Sequence, residues 1–196
     1  MKIGIMGGTF DPIHLGHLLA AEHAAEEAQL DEVWFIPSYQ PPHKDYSPGA
    51  TEDERWQMVN LAIEGNPRFR AIDWELRQAG VSYSLDTAQM LVETYPQDEF
   101  SWLIGADMVQ YLPNWHRIED LCSLIGFIGF ARPGTVIDLN ELQPVIRDRV
   151  RLVTIPQLDI SSTYIRERMR LGRSVRYMVP EAVGAYIEER RLYEQS

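Results

Sequence analysis

The sequence predicts an α/β fold, a doubly wound, mostly parallel sheet with helices on both faces. Two observations lead there. Short apolar runs alternate along the whole chain with longer stretches of helical periodicity. The runs are also apolar throughout rather than at every second position, as in strands covered on both sides. Sheets of this Rossmann-like kind take their ligands outside the carboxyl ends of the strands.

The strand candidates, in order, are KIGIM (2–6), VWFIP (33–37), FRAID (69–73), FSWLIG (100–105), IGFIGFA (125–131) and VRLVTI (150–155). Glycine, proline or polar residues bound each of them. Helices are expected at about 15–28, 52–64, 84–94, 115–124 and 139–148, and beyond the last strand near 163–171 and 180–190. Pro180 before Glu181 is a good helix start, because the fixed φ of proline suits the first turn. The segment SYQPPHKDYSPGAT, residues 38–51, is rich in proline and polar groups and reads as a long loop. The length of 196 residues suits one domain spanning 1–196.

A hydrophobic fraction of 45% and a charged fraction of 24% are those of an ordinary globular protein. A lone cysteine, Cys122, excludes an internal disulfide and a four-cysteine zinc site. The opening residues do not read as a signal peptide, and the longest apolar run, LIGFIGFA, falls far short of the roughly 18 residues that span a bilayer. The expectation is a cytoplasmic, reduced protein with no membrane partner. A net charge of −11 argues against nonspecific binding to nucleic acid. Yet Arg166, Arg168, Arg170, Arg173 and Arg176 crowd together with only Glu167 opposing them. One basic cluster on an acidic protein suggests a small anionic ligand rather than a polyanion.

The connection after the first strand candidate is GGTFDPIHLGH, residues 7–17. Gly7 and Gly8 are expected to adopt positive φ and let the backbone approach a ligand, with the N–H groups of Thr9 and Phe10 facing a phosphate. His14 and His17 stand one turn apart near a helix start, so both imidazoles can reach one point, and Gly16 leaves that approach open. The dinucleotide fingerprint and the Walker pattern are both absent. A bare H-x-x-H could bind zinc, but the motif holds no glutamate and the chain no cysteine cluster. Metal site, histidine-bearing turn and phosphate cradle all remain open on these residues alone.

GGTFDPIHLGH resembles the H-x-G-H signature of the nucleotidyltransferase superfamily. DISSTYIR (159–166) is similar to the I-S-S-T-x-I-R motif of the same superfamily. SYSLDT (82–87), GADMVQYLPNWHRI (105–118) and RPG (132–134), with YMVPEAVGAYI and LY further on, resemble the bacterial nicotinate-mononucleotide adenylyltransferases, in that family's order and over nearly the full chain. The resemblance implies transfer of the adenylyl group of ATP to nicotinate mononucleotide, giving deamido-NAD and pyrophosphate.

It implies the following roles. His14 and His17 donate to the ATP phosphates, with the Gly7–Phe10 backbone assisting. Ser161, Ser162 and Thr163 open a helix, one of them as its N-cap. Ser162, Thr163 and Arg166 then meet the β- and γ-phosphates, so that the helices of about 163–196 complete the ATP site. Lys44, in the long loop, corresponds to a family position that reaches phosphates. Gly105 and Asp107 lie beside the adenosine ribose. Thr87 helps hold the nicotinate carboxylate, Trp115 and His116 pack on the pyridine ring, and Arg132 stands near the nucleotide. Trp34, Trp56, Trp74 and Trp102 are read as structural. No two-carboxylate metal site is evident, so Mg²⁺ is expected to arrive with ATP.

Pantetheine-phosphate adenylyltransferases share the chemistry but lack the GAD…NWH run and are shorter. Class I aminoacyl-tRNA synthetases need a downstream lysine loop, and this chain has no lysine after Lys44. A nucleotide sensor would not need both histidines and the Ser-Ser-Thr motif. A structural zinc protein is the remaining alternative. Assembly into a homo-oligomer is left open.

Overall fold

The computed structural model describes residues 1–40, 48–78, 80–131, 137–156 and 158–194. Its elements run β1 (Lys2–Gly8), α1 (Leu15–Glu27), β2 (Glu32–Pro37), α2 (Glu52–Ile63), β3 (Phe69–Ala71), α3 (Trp74–Gln78), α4 (Ser84–Thr94), β4 (Glu99–Gly105), α5 (Ala106–Tyr111), α6 (Ile118–Leu124), β5 (Gly126–Ala131), α7 (Pro144–Arg147), β6 (Val150–Thr154), α8 (Ser162–Arg170) and α9 (Glu181–Arg190). The strands form one parallel sheet in the order β3-β2-β1-β4-β5-β6. This is the doubly wound order, reversing direction between β1 and β4.

Strand alternation divides the core between the two faces. Met6, Val33, Phe35, Leu103 and Ile128 point to one side, where α1, α2, α8 and α9 contribute Ala20, Ala21, Ala24, Met58, Val59, Ile165, Val183 and Ile187. Ile3, Ile5, Trp34, Ile36, Trp102 and Phe127 point to the other, against Leu85, Ala88 and Leu91 of α4, Val109 of α5, Leu121 of α6 and Ile146 of α7. Both faces are dry, which is why the strand sequences carry no polar alternation. No helix among the described residues is long and apolar enough to cross a membrane.

Several boundaries differ from the sequence expectation. The helix expected at 139–148 is broken into a 3₁₀ turn, Leu139–Glu141, and the short α7. Pro144 has no N–H to join a continuous helix and instead starts α7. The one expected at 115–124 begins only at Ile118, because Leu112–Asn114 form a 3₁₀ turn that leaves Trp115 extended and Arg117 at φ 50°. Helices α3 and α5 were not anticipated; both are too short to show a periodicity. Pro180 stands just outside α9 as its N-cap.

Candidate active site

The carboxyl ends of β1 and β4 open onto one crevice where the strand order reverses. A cleft of about 870 Å³ lies there. Gly7, Gly8, Thr9, Phe10, His14, Gly16 and His17 line it from the β1–α1 connection, Gly105 and Asp107 from the β4–α5 junction, and Ser161, Ser162, Thr163 and Arg166 from the start of α8. Three segments far apart in sequence thus meet at one point. Lys44 and Arg132 lie outside the described residues.

The glycines act through space rather than through positive φ. Gly7 and Gly8 are strand residues, paired with Ile36 and Pro37. The positive-φ glycines among the described residues are Gly65, Gly80 and Gly172. A Cβ on Gly7 would stand 3.1 Å from the Trp102 ring, and one on Gly8 3.2 Å from the Phe10 ring. The residue that does adopt the left-handed region is Phe10, at φ 51°. A non-glycine residue holds that conformation only where its surroundings enforce it. Its ring is buried, edge-on to His17 at 5.2 Å and tilted against Phe35 at 6.0 Å. Arg55 of α2, fully buried, fixes the same turn by donating to the carbonyls of Thr9 and Ser38, each at 2.7 Å.

His14 is the N-cap of α1 and His17 lies in its first turn. Their rings stack at 3.7 Å between centroids. The His14 N–H donates to His17 Nδ1 at 3.2 Å, so the neutral His17 ring carries its proton on Nε2. Burial lowers the His14 pKa from its ordinary 6.5 to about 4, so its ring is neutral at physiological pH. His14 Nδ1 is buried and has no protein partner among the described residues. Gly16 is required here: a Cβ would approach that nitrogen to 3.0 Å.

Ser161 caps α8, its hydroxyl accepting from Tyr164 N at 3.2 Å. The Ser162 hydroxyl donates to the Pro12 carbonyl at 2.8 Å and fastens this helix to the histidine loop. The first-turn N–H groups of a helix have no intrahelical acceptor, so this end suits an anion. Arg166 donates to Thr163 Oγ1 at 3.2 Å and to the Asp11 carbonyl at 2.7 Å. Among the described residues no three His, Cys, Asp or Glu side chains converge as a metal site.

Thr87, Trp115 and His116 are absent from the lining of this cleft and gather beside it, on the α4 face of the sheet. The Trp115 ring meets Trp102 at 6.4 Å, and Trp102 in turn abuts Gly7. The His116 ring lies 4.7 Å from that of Tyr83, the N-cap of α4. Trp115 Nε1 is buried without a protein partner among the described residues. Thr87 is fully buried, and its hydroxyl donates to Glu75 Oε1 at 2.6 Å. Burial raises the Glu75 carboxyl to about 7, against the opposing hydrogen bonds of Thr87 and Ser82.

Arg55, Asp11 and Glu75 were not picked out from the sequence. Arg55 had a signal: it occupies the i position of an apolar face that continues at Met58, Val59 and Ile63. A cation on such a face needs buried acceptors. Asp11 was in plain view within the motif, whereas nothing in WELRQ distinguishes Glu75.

A switch-point cleft that sets paired histidines against a serine-capped helix is the arrangement of a nucleotidyltransferase. A model of the family described as cytidylyltransferase-like matches residues 5–168. A probable nicotinate-nucleotide adenylyltransferase of Geobacillus kaustophilus is 48% identical over 192 residues, covering 98% of this chain and 86% of that protein. The nicotinate-nucleotide adenylyltransferase of Bacillus subtilis is 42% identical over 193 residues, covering 98% of both. The chain belongs to the cytidylyltransferase-like family and, within it, to the nicotinate-nucleotide adenylyltransferases. The fold is shared with Plasmodium falciparum nicotinic acid mononucleotide adenylyltransferase complexed with NaAD, at a TM-score of 0.79, 21% identity and coverage of 98% and 97% of the two chains.

Proposed function

We propose that the cleft transfers the adenylyl group of ATP to nicotinate mononucleotide. The observation that carries the reading is the convergence of the stacked His14–His17 pair, Arg166 and the amino end of α8 on one crevice. An oxygen of the acceptor's own phosphate attacks the α-phosphorus of ATP. The bond from that phosphorus to the bridging oxygen of the β-phosphate breaks, and pyrophosphate leaves. The nucleophile is ionised at neutral pH, so no covalent intermediate and no strong base are needed. Catalysis reduces to alignment and to donors aimed at developing charge.

His17 Nε2–H supplies one such donor. His14 gains proton affinity once a triphosphate replaces the dry surroundings that lower its pKa, so it becomes a better donor when ATP binds. The backbone of Gly8–Phe10, braced by Arg55, receives the phosphates at the end of β1. Thr163, Arg166 and the first turn of α8 hold the departing pyrophosphate, and Asp107 stands at the ribose. Magnesium fits as a companion of ATP that neutralises phosphate charge, with Asp107 and Asp159 the carboxylates in reach of the cleft besides Asp11. On the acceptor side, Trp115 and His116 pack on the pyridine ring. The Thr87 hydroxyl is engaged with Glu75, so its contribution is to fix the start of α4, whose N–H groups favour a carboxylate. Residues 1–196 act as one domain in this reading.

The test is product analysis with MgATP and, separately, nicotinate mononucleotide, nicotinamide mononucleotide and phosphopantetheine. Deamido-NAD and pyrophosphate in equal amounts are expected with the first. Pyrophosphate with phosphopantetheine instead would overturn the acceptor, and no product with any of them would overturn the reaction.

A further inference from the structure

Asp11 sits in the middle of the histidine loop, 1% exposed, and donors from remote segments converge on its carboxylate. The Gly49 N–H reaches Oδ2 at 2.8 Å, the Ala50 N–H reaches Oδ1 at 3.1 Å, and the Tyr193 hydroxyl reaches Oδ1 at 2.7 Å. Tyr193 follows α9, outside the 5–168 match, and is itself buried in a left-handed conformation, φ 64°. Gly49 makes room for it: a Cβ there would stand 3.0 Å from the Tyr193 ring and 3.6 Å from Arg166 Cδ.

The Arg166 guanidinium lies 3.6 Å from Asp11 Oδ2 while donating to the main-chain carbonyl of the same residue. That separation is long for a buried carboxylate and guanidinium, which otherwise close to a bidentate pair. The two amides and the tyrosine hydroxyl fix the carboxylate in place, so these anchors help set its distance from Arg166. Arg166 is therefore placed by Asp11 twice, through the main-chain carbonyl and beside the carboxylate. Position matters here, because Arg166 and Thr163 also line a second cavity, of about 480 Å³, shared with Gly49, Arg170 and Tyr193. A guanidinium drawn toward that side, or onto Asp11, would leave the main cleft.

We propose that Tyr193 and Asp11 are positioning residues for the phosphates of ATP. The tyrosine hydroxyl anchors the aspartate carboxylate, and the aspartate places Arg166 at the main cleft. The proposal rests on reading the cleft as the ATP site, and it gives the segment beyond α9 a part in the reaction.

Tyr193→Phe removes one hydroxyl and keeps the ring. Its Michaelis constants for MgATP and nicotinate mononucleotide, and its calorimetric Kd for inorganic tripolyphosphate in the presence of magnesium, are compared with those of the unmodified protein. The expected result is a rise of about tenfold in the KM for MgATP and in the tripolyphosphate Kd, with the acceptor KM unchanged, the size of one charge-assisted contact. Tyr186→Phe, another hydroxyl lost from the same region on α9, is expected to move neither. Loosened packing alone would lower kcat and leave both Michaelis constants in place, which overturns the proposal. An unchanged tripolyphosphate Kd, or no tripolyphosphate binding by the unmodified protein, also overturns it. If the unmodified protein binds tripolyphosphate but makes no deamido-NAD, the proposed reaction fails, and the ratio of the two Kd values still decides the role of Tyr193.

Discussion

The cleft and the region beside it are built from different materials. On the side proposed for the phosphates, His14, His17, Arg166 and the amino end of α8 line a cleft, and the side chains of His17, Ser162 and Arg166 are each tied by a hydrogen bond to backbone. In the region proposed for the acceptor, a carboxyl meets a buried hydroxyl, the His116 ring lies against that of Tyr83 at the start of α4, and Trp115 meets Trp102. A triphosphate is recognised by charge and by donors at fixed spacing, which one loop and one helix start can supply. A pyridine ring is recognised by shape, and shape is assembled from segments that meet only in the folded chain.

Substitutions break this contrast to different depths. The deepest cut is His17→Ala, expected to lower kcat by about 10²–10³, the usual effect of losing one donor aimed at developing charge. Pyrophosphate release at saturating substrate measures it. Gly16→Ala should come next, with kcat down roughly tenfold or more, because the new methyl displaces the His14 ring without removing it. Neither change should alter the KM for the acceptor.

Stability effects on the acceptor side are smaller. Thr87→Val removes the donor from a buried carboxyl, and urea unfolding at pH 8 should show a loss on the order of 1–3 kcal/mol. Glu75 titrates near 7 when folded and near its ordinary 4.5 when unfolded. Its contribution to stability is thus complete below pH 4.5 and lost as pH rises through 7. Glu75→Gln should flatten that part of the stability profile by on the order of 1–3 kcal/mol. His14 slopes the other way: its stabilisation is present above pH 6.5 and lost as pH falls through about 4. His14→Gln should shrink the acid loss between those limits, measured by the same unfolding series.

The same contrast explains what could be read in advance. The six strands were legible because both faces of the sheet are dry, and the motifs GGTFDPIHLGH and ISSTYIR, singled out in advance, do line one cleft. The bracing of that cleft was not legible. Gly7 and Gly8 suggested positive φ, but sheet pairing carries through both and the strained turn falls one residue further on than Thr9, at Phe10. Asp11 and Arg55 show their purpose only when Gly49, Tyr193, Thr9 and Ser38 are brought beside them. The pairing of Thr87 with Glu75 spans two helices of which the shorter, α3, is too brief to announce itself.

The central claim is that the two sides divide the labour, one acting on ATP and the other on the acceptor. It is tested most directly by measuring kcat and both Michaelis constants for His17→Ala and Trp115→Ala in parallel. The account predicts a fall of about a hundredfold in kcat for His17→Ala with the acceptor KM unchanged. For Trp115→Ala it predicts a raised KM for nicotinate mononucleotide with the KM for MgATP unchanged. Normal turnover in His17→Ala, or a Trp115→Ala protein in which the MgATP constant moves and the acceptor constant does not, would contradict it.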